Sequence, residues 1–182
     1  MIDLLLAASV FCELSAAAAV LLSIRFPVRR IWPPNRLSPW KTGLMGFLFF
    51  FPALGIGMLG MLEWGGMGSP EWVRFGLGLP PLAGGLIFFL WAQGVLGFGQ
   101  MMGKAGALTT GGPFRFSRNP QYAGCLAMLA GWVLLSSSPS AAIVSLIAVI
   151  PLVLVPFAEE PWLRMQYGQA YEEYSRKVPR FF

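Results

Sequence analysis

Residue types able to do polar chemistry gather in three places in the second half of the chain. Gly97-Phe98-Gly99 forms a glycine turn. The stretch TGGPFRFSRNPQYAG, residues 110–124, carries Arg115, Arg118, Asn119 and Tyr122. Glu159-Glu160 supplies an acidic pair ahead of Tyr171. Guanidinium groups pair with carboxylates or phosphates through a planar fork, and carboxylates accept hydrogen bonds from ammonium or hydroxyl groups. Such a set can hold a small charged molecule. The chain has no histidine, which excludes Ser-His-Asp triads, His-ligated haem and most zinc sites. Its two cysteines, Cys12 and Cys125, lie far apart in apolar runs. They point to packing, not to a disulfide or a metal site.

The arginine-bearing stretch reads as a loop feeding a helix. Gly111, Gly112 and Pro113 mark the loop. Asn119-Pro120 marks the helix start, with Asn as the N-cap acceptor and Pro at the first helical position, where its missing N–H costs nothing. An apolar run follows from Gln121. Two guanidinium groups, an amide and a phenol therefore stand at the mouth of a hydrophobic segment, a place where a charged cofactor can meet an apolar substrate.

Composition names the solvent. Of 182 residues, 56% are hydrophobic and 12% charged, with mean hydropathy +0.65, whereas soluble domains carry about 25% charge. Apolar runs near the roughly 20 residues that cross a bilayer recur. The expected architecture is a single all-α integral membrane domain, residues 1–182, with about five transmembrane segments at 4–24, 42–62, 77–98, 121–135 and 141–158. The last two form a helical hairpin joined at Ser136-Ser-Ser-Pro-Ser140. A cytoplasmic tail over 159–182 is expected to hold an amphipathic helix with Leu163, Tyr167, Ala170, Tyr171 and Tyr174 on one face. Pro52 interrupts the second span, and Gly55, Gly57 and Gly60 there suit close helix approach. Glu13 lies mid-span; an ionisable group at membrane depth is a functional candidate by default, and a protonated or hydrogen-bonded Glu facing other helices is the equal alternative.

The net charge of +5 speaks through its placement, not through affinity for nucleic acid. Five bases fall in 25–41, three in the loop (Lys104, Arg115, Arg118) and four in the tail, all on one side of a five-span layout; Arg74 alone lies opposite. The positive-inside rule puts loop and tail in the cytoplasm and the N-terminus outside.

The order GxG, then Gly-Pro-x-Arg-x-x-Arg-Asn-Pro-x-Tyr-x-Gly, then Glu-Glu and a Tyr-rich tail, resembles the isoprenylcysteine carboxyl methyltransferase and phospholipid methyltransferase superfamily. Its Arg-(His/Asn)-Pro-x-Tyr-x-Gly hallmark corresponds to Arg118–Gly124. Its Glu-Glu, Leu, Gly-x-x-Tyr-x-x-Tyr and Val-Pro elements correspond to Glu159-Glu160, Leu163, Gly168–Tyr174 and Val178-Pro179. The likeness runs over 88–182. It implies S-adenosylmethionine as methyl donor and a lipid or other lipophilic acceptor entering from the bilayer, with no metal. By residue, it implies Arg118 and Glu160 in catalysis. It implies Gly97, Gly99, Arg115, Asn119, Pro120, Tyr122, Glu159 and Tyr171 around the cofactor. Asn119 stands where eukaryotic members carry His, so a titrating role there is lost while the N-cap role is kept.

A zwitterionic sulfonium donor needs such partners: Arg for its carboxylate, Glu for its amino group or ribose hydroxyls, and aromatic faces for the sulfonium. Two other readings stand beside this one. The first is an NADPH-dependent membrane reductase of sterol-like double bonds, whose cofactor phosphates ask for more basic groups. The second is a non-catalytic membrane scaffold with the same fold.

Overall fold

In a computed structural model, residues 1–34, 38–101 and 106–181 are described; Arg36 and Lys104, counted above among the bases, lie outside them. The described residues form helices and no strands. They comprise α1 (Ile2–Arg25), α2 (Pro39–Leu62), α3 (Gly78–Leu96, entered through a π-helical turn, Trp72–Leu77), the short α4 (Phe98–Met101), α5 (Pro120–Ser136), α6 (Pro139–Tyr167) and α7 (Gln169–Lys177).

Among the described residues, four helices are long and apolar enough to cross a membrane: Ile2–Arg25, Pro39–Leu62, Trp72–Leu96 and Pro139–Tyr167. The expected fourth segment is α5. Its 17 residues rise about 26 Å, short of a core of roughly 30 Å. Two boundaries differ from expectation. The third span begins at Trp72, and the last runs on to Tyr167, so Glu159-Glu160 sit inside α6 instead of opening a polar tail. The helix continues through Pro151, Pro156 and Pro161. The single amphipathic face expected from Leu163 to Tyr174 is broken, because Gly168 at φ +53° separates α6 from α7. A positive φ is cheap only for glycine, and that residue sets the corner.

These helices are apolar on every side, so side-chain size decides which face packs. Ala16, Ala19, Ala141, Ala148 and Gly60 are buried, while Leu4, Phe11, Phe50, Leu54, Ile87 and Leu146 face outward. Small residues inside and bulky ones outside is the pattern of helices that associate within lipid. The tightest seam joins α3 to α5. A Cβ at Gly85 would lie 2.7 Å from the Gly124 carbonyl oxygen, and one at Gly131 would lie 2.7 Å from the Gly78 carbonyl oxygen. Gly78/Gly85 and Gly124/Gly131 thus form two seven-residue pairs meeting antiparallel, backbone on backbone. On α2, Gly55 abuts Ser9 and Gly60 abuts Trp132, as expected, but a Cβ at Gly57 would touch nothing.

The end of the bundle carrying Arg74 is closed by a polar lock. Glu63 accepts from the Ser138 hydroxyl at 2.7 Å, the Ser140 amide at 2.9 Å and the Ser140 hydroxyl at 2.8 Å. It therefore caps the first turn of α6 from another helix, an anion on a helix N-terminus. Arg74 donates to the Leu135 carbonyl at 3.0 Å and stacks over Trp64. Burial pushes the Glu63 pKa up, but the bonds from Ser140 and Ser138 outweigh it and hold the carboxyl below its usual range. A lowered folded pKa means stability that is present above about pH 4.3 and lost as pH falls through the folded value. Glu63→Gln should therefore melt a few degrees below the parent at neutral pH, with the gap closing below about pH 4. A gap independent of pH in detergent melting curves would refute this role.

Candidate cofactor and acceptor site

At the opposite end, three segments distant in sequence converge. The extended piece after α1 brings Trp32, the loop before α5 brings Arg118 and Asn119, and α6 brings Glu159 and Glu160. Trp32 Nε1 donates to Glu159 Oε1 at 2.7 Å, and the Tyr122 hydroxyl donates to the same oxygen at 2.8 Å. Trp32 is itself placed by Ser23 of α1, whose hydroxyl accepts from the Ile31 and Trp32 amides. Glu159 is thus oriented from two sides, from α5 and from the α1–α2 connection.

Glu160 faces the other way. Arg180 grips it with two parallel bonds, Nε to Oε1 at 2.7 Å and Nη2 to Oε2 at 2.9 Å. Arg118 lies 3.3 Å and Arg164 3.5 Å from its oxygens. The Arg180 guanidinium also stacks on Phe157, 3.9 Å from the ring centroid, and the Glu160 bond raises its pKa further. The backbone of the same segment clasps the loop. The Pro179 carbonyl accepts from the Arg118 amide at 2.9 Å, and the Arg180 carbonyl accepts from Ser117 Oγ and Asn119 Nδ2 at 3.2 and 3.0 Å. Asn119 does occupy the N-cap position of α5, but its side chain makes no capping bond. It is spent on the tail, a correction to the expected cap. Tyr174 completes the clasp by donating to the Phe114 carbonyl at 2.7 Å.

Above this polar floor lies a cavity of about 600 Å³. Arg118, Asn119, Tyr122, Glu159 and Tyr171 line it, together with Trp32, Tyr174, Gln93 and Gln121, and its body is walled by apolar residues of α2, α3, α5 and α6 such as Phe49, Phe89, Met128 and Leu152. Of the residues singled out from sequence, Gly97, Gly99, Arg115, Pro120 and Glu160 are not among its described lining. Gly97 ends α3 at φ +80°, and Arg115 is exposed, over the Phe116 ring. Pro120 is buried at the start of α5, and Glu160 belongs to the ion cluster. Sequence reasoning missed Trp32, Arg180 and Tyr174. Tyr174 was visible as the second tyrosine of the tail pattern, but nothing local to Trp32 or Arg180 marks either as a partner of the acidic pair.

The arrangement suits a small zwitterion at the polar end. Arg118 Nε is buried without a hydrogen-bond partner, a donor left over after Glu160 is served. Both described bonds to Glu159 land on Oε1. Burial, with Glu160 nearby, pushes the Tyr171 phenol up, and burial with Tyr171 alongside raises Tyr174. Both phenols hold their protons at neutral pH; that of Tyr174 is given to the Phe114 carbonyl. Among the described residues, α2 packs on α1, α6 and α5 yet shares little direct packing with α3. Both helices contribute to the cavity wall, Phe49 and Ala53 from α2 and Leu82 and Phe89 from α3.

In comparison with known proteins, residues 73–170 match the phospholipid methyltransferase family. A curated protein, steroid 5-alpha-reductase DET2 of Solanum lycopersicum, is 28% identical over 107 residues, 59% of this chain. The chain spans 42% of that protein's length. No solved structure shows a significant match.

Proposed function

Because the chain belongs to the phospholipid methyltransferase family, we propose that it transfers the methyl group of S-adenosylmethionine to a lipophilic acceptor drawn from the bilayer. The observation that carries this reading is the cavity, which joins a polar end lined by Arg118, Asn119, Tyr122 and Glu159 to an apolar body walled by the spanning helices. When bound, S-adenosylmethionine supplies an electrophilic methyl group on a cationic sulfur. Arg118 would take the cofactor's carboxylate and Glu159 its amino group or ribose hydroxyls, charge-assisted pairings of the stronger kind. Trp32, Tyr122 and Tyr171 would present aromatic faces to the sulfonium. Gly97, Gly99, Asn119 and Pro120 would shape the site, and Arg115 would meet the cofactor as it enters. Glu160 would act on catalysis through Arg118 by fixing that guanidinium.

For an in-line displacement the chain's own contribution is alignment and exclusion of water. Glu159 is the carboxylate placed to counter positive charge that develops when a neutral amine attacks. With the bases concentrated at this end, the positive-inside rule sets the site on the cytoplasmic face.

Reduction by NADPH is a second reading, and the identity with the steroid reductase favours it. Among the described residues, however, Arg118 is the one basic side chain lining the cavity, and it is already shared with Glu160. Three cofactor phosphates would ask for several. Calorimetric titration of the detergent-solubilised protein with S-adenosylmethionine, its demethylated product and NADPH separates the two. Micromolar binding of the first two is expected. Binding of NADPH alone would replace the methyltransferase reading with the reductase, and binding of none to folded protein would leave a scaffold.

A further inference from the structure

Glu13 stands in the middle of α1, 4% exposed, on the wall of the cavity. Its Oε2 has no hydrogen-bond partner. A buried carboxyl oxygen left unsatisfied is costly, and no described side chain donates to Oε2. Two hydroxyls on the same packed helices, Ser9 Oγ one turn earlier and Ser145 Oγ on the adjoining α6, are buried and also lack partners, and neither donates to Glu13 Oε2. Glu13 is also remote from the polar floor. Ser23, which places Trp32 against Glu159, is ten residues further along α1, about 15 Å at 1.5 Å per residue.

Resting on the methyltransferase reading, we infer that Glu13 recognises a second polar group on the acceptor. That group is a hydrogen-bond donor, hydroxyl or ammonium, carried on an otherwise apolar body about 15 Å along the cavity from the acceptor's end at the polar floor. A plain acyl tail would meet Glu13 with nothing to donate and would leave its desolvation uncompensated. The acceptor class selected is therefore a bifunctional lipophile, polar at one end and again partway along, and simple diacyl lipid is disfavoured. Discrimination by an unpaired buried polar group is strong in general, because the ligand lacking the donor leaves the site unsatisfied.

The test uses the full-length protein in nanodiscs with three probes: 1-dodecanol, dodecane-1,12-diol and 12-amino-1-dodecanol. Affinities are normalised for partition into the lipid. The parent should bind the diol or the amino alcohol at least about tenfold more tightly than dodecanol, as a charge-assisted bond allows. Glu13→Leu should abolish that preference. Glu13→Gln should keep it for the diol and lose it for the amino alcohol if the group recognised is ammonium, and keep it for both if it is hydroxyl. Removing a carboxyl that serves no structural partner should also raise the melting temperature of Glu13→Leu by several degrees. Equal binding of all three probes by the parent, or a preference that survives in Glu13→Leu, would overturn the inference. A lowered melting temperature in both variants would overturn it too, by giving Glu13 a structural role.

Titration of the same samples with S-adenosylmethionine separates the two levels. Cofactor binding with no probe preference sinks the Glu13 inference alone. A Glu13-dependent preference without cofactor binding sinks the methyltransferase reading and leaves a lipid-recognition site.

Discussion

Glu160→Ala is expected to release the C-terminal segment from the body of the protein instead of only slowing chemistry. The side chain is 4% exposed and shared by Arg118, Arg180 and Arg164. Removing it strands the largely buried Arg118 guanidinium and takes the carboxylate from the half-buried Arg180. Losing one partner of a buried ion pair costs about 3–5 kcal/mol, mostly as the penalty of the charge left behind. For a chain of this size that corresponds to a fall in melting temperature of roughly 10–15 °C. Because Arg180 also brings the carbonyl that holds Ser117 and Asn119, the loop should loosen with the tail. Trypsin should then cut at Arg176 and Lys177 well before the parent is touched. An unchanged melting curve with a protected tail would show that the three arginines contribute little, and Glu160 would return to candidacy as a group acting directly on substrate.

Glu159→Gln should do the opposite: keep the fold and lose the function. The glutamine carbonyl can still accept from Trp32 Nε1 and the Tyr122 hydroxyl, so the two bonds at 2.7 and 2.8 Å have a replacement acceptor. On the methyltransferase reading, what disappears is the negative charge that would stand opposite the cofactor's amino group or ribose. A hydrogen bond to a charged group contributes about 1.5–3 kcal/mol, so affinity for S-adenosylmethionine should fall by roughly 10- to 100-fold, with methyl transfer falling at least as far. Normal affinity and turnover in a variant that melts like the parent would remove Glu159 from the site.

The contrast between these neighbouring glutamates shows what was legible in the chain and what was not. Side-by-side acidic residues on a helix point about 100° apart, so one can serve a cavity while the other serves a packed interface. Their order in sequence does not say which. Spans were readable because apolar length is a local property, and the hairpin corner was readable from its serines and proline. The α6 boundary was not, since Glu159, Glu160 and Arg164 look like the end of a span until the fold sets Arg180, 20 residues on, against Glu160. Trp32 reads as an interfacial anchor by composition, and its partner Glu159 lies 127 positions on. Asn119 was correctly placed at the head of α5 but assigned the wrong bond, because the side-chain orientation that gives Nδ2 to the Arg180 carbonyl makes no cap with Oδ1, and only the fold brings that carbonyl there.

The glycine seam between α3 and α5 has a mechanical meaning. Two helices in backbone contact at heptad intervals can neither slide nor part without clashing or opening a void, so they move as one plate. Helix α2 is different. Pro52 removes one of its backbone hydrogen bonds, and Gly43, Gly46 and Gly57 have no neighbours within 4 Å of an added Cβ. It carries the slack that α3 and α5 lack. Of the cavity's walls, the α3–α5 pair is therefore the rigid one, and α2 the one whose own sequence leaves it room to deform.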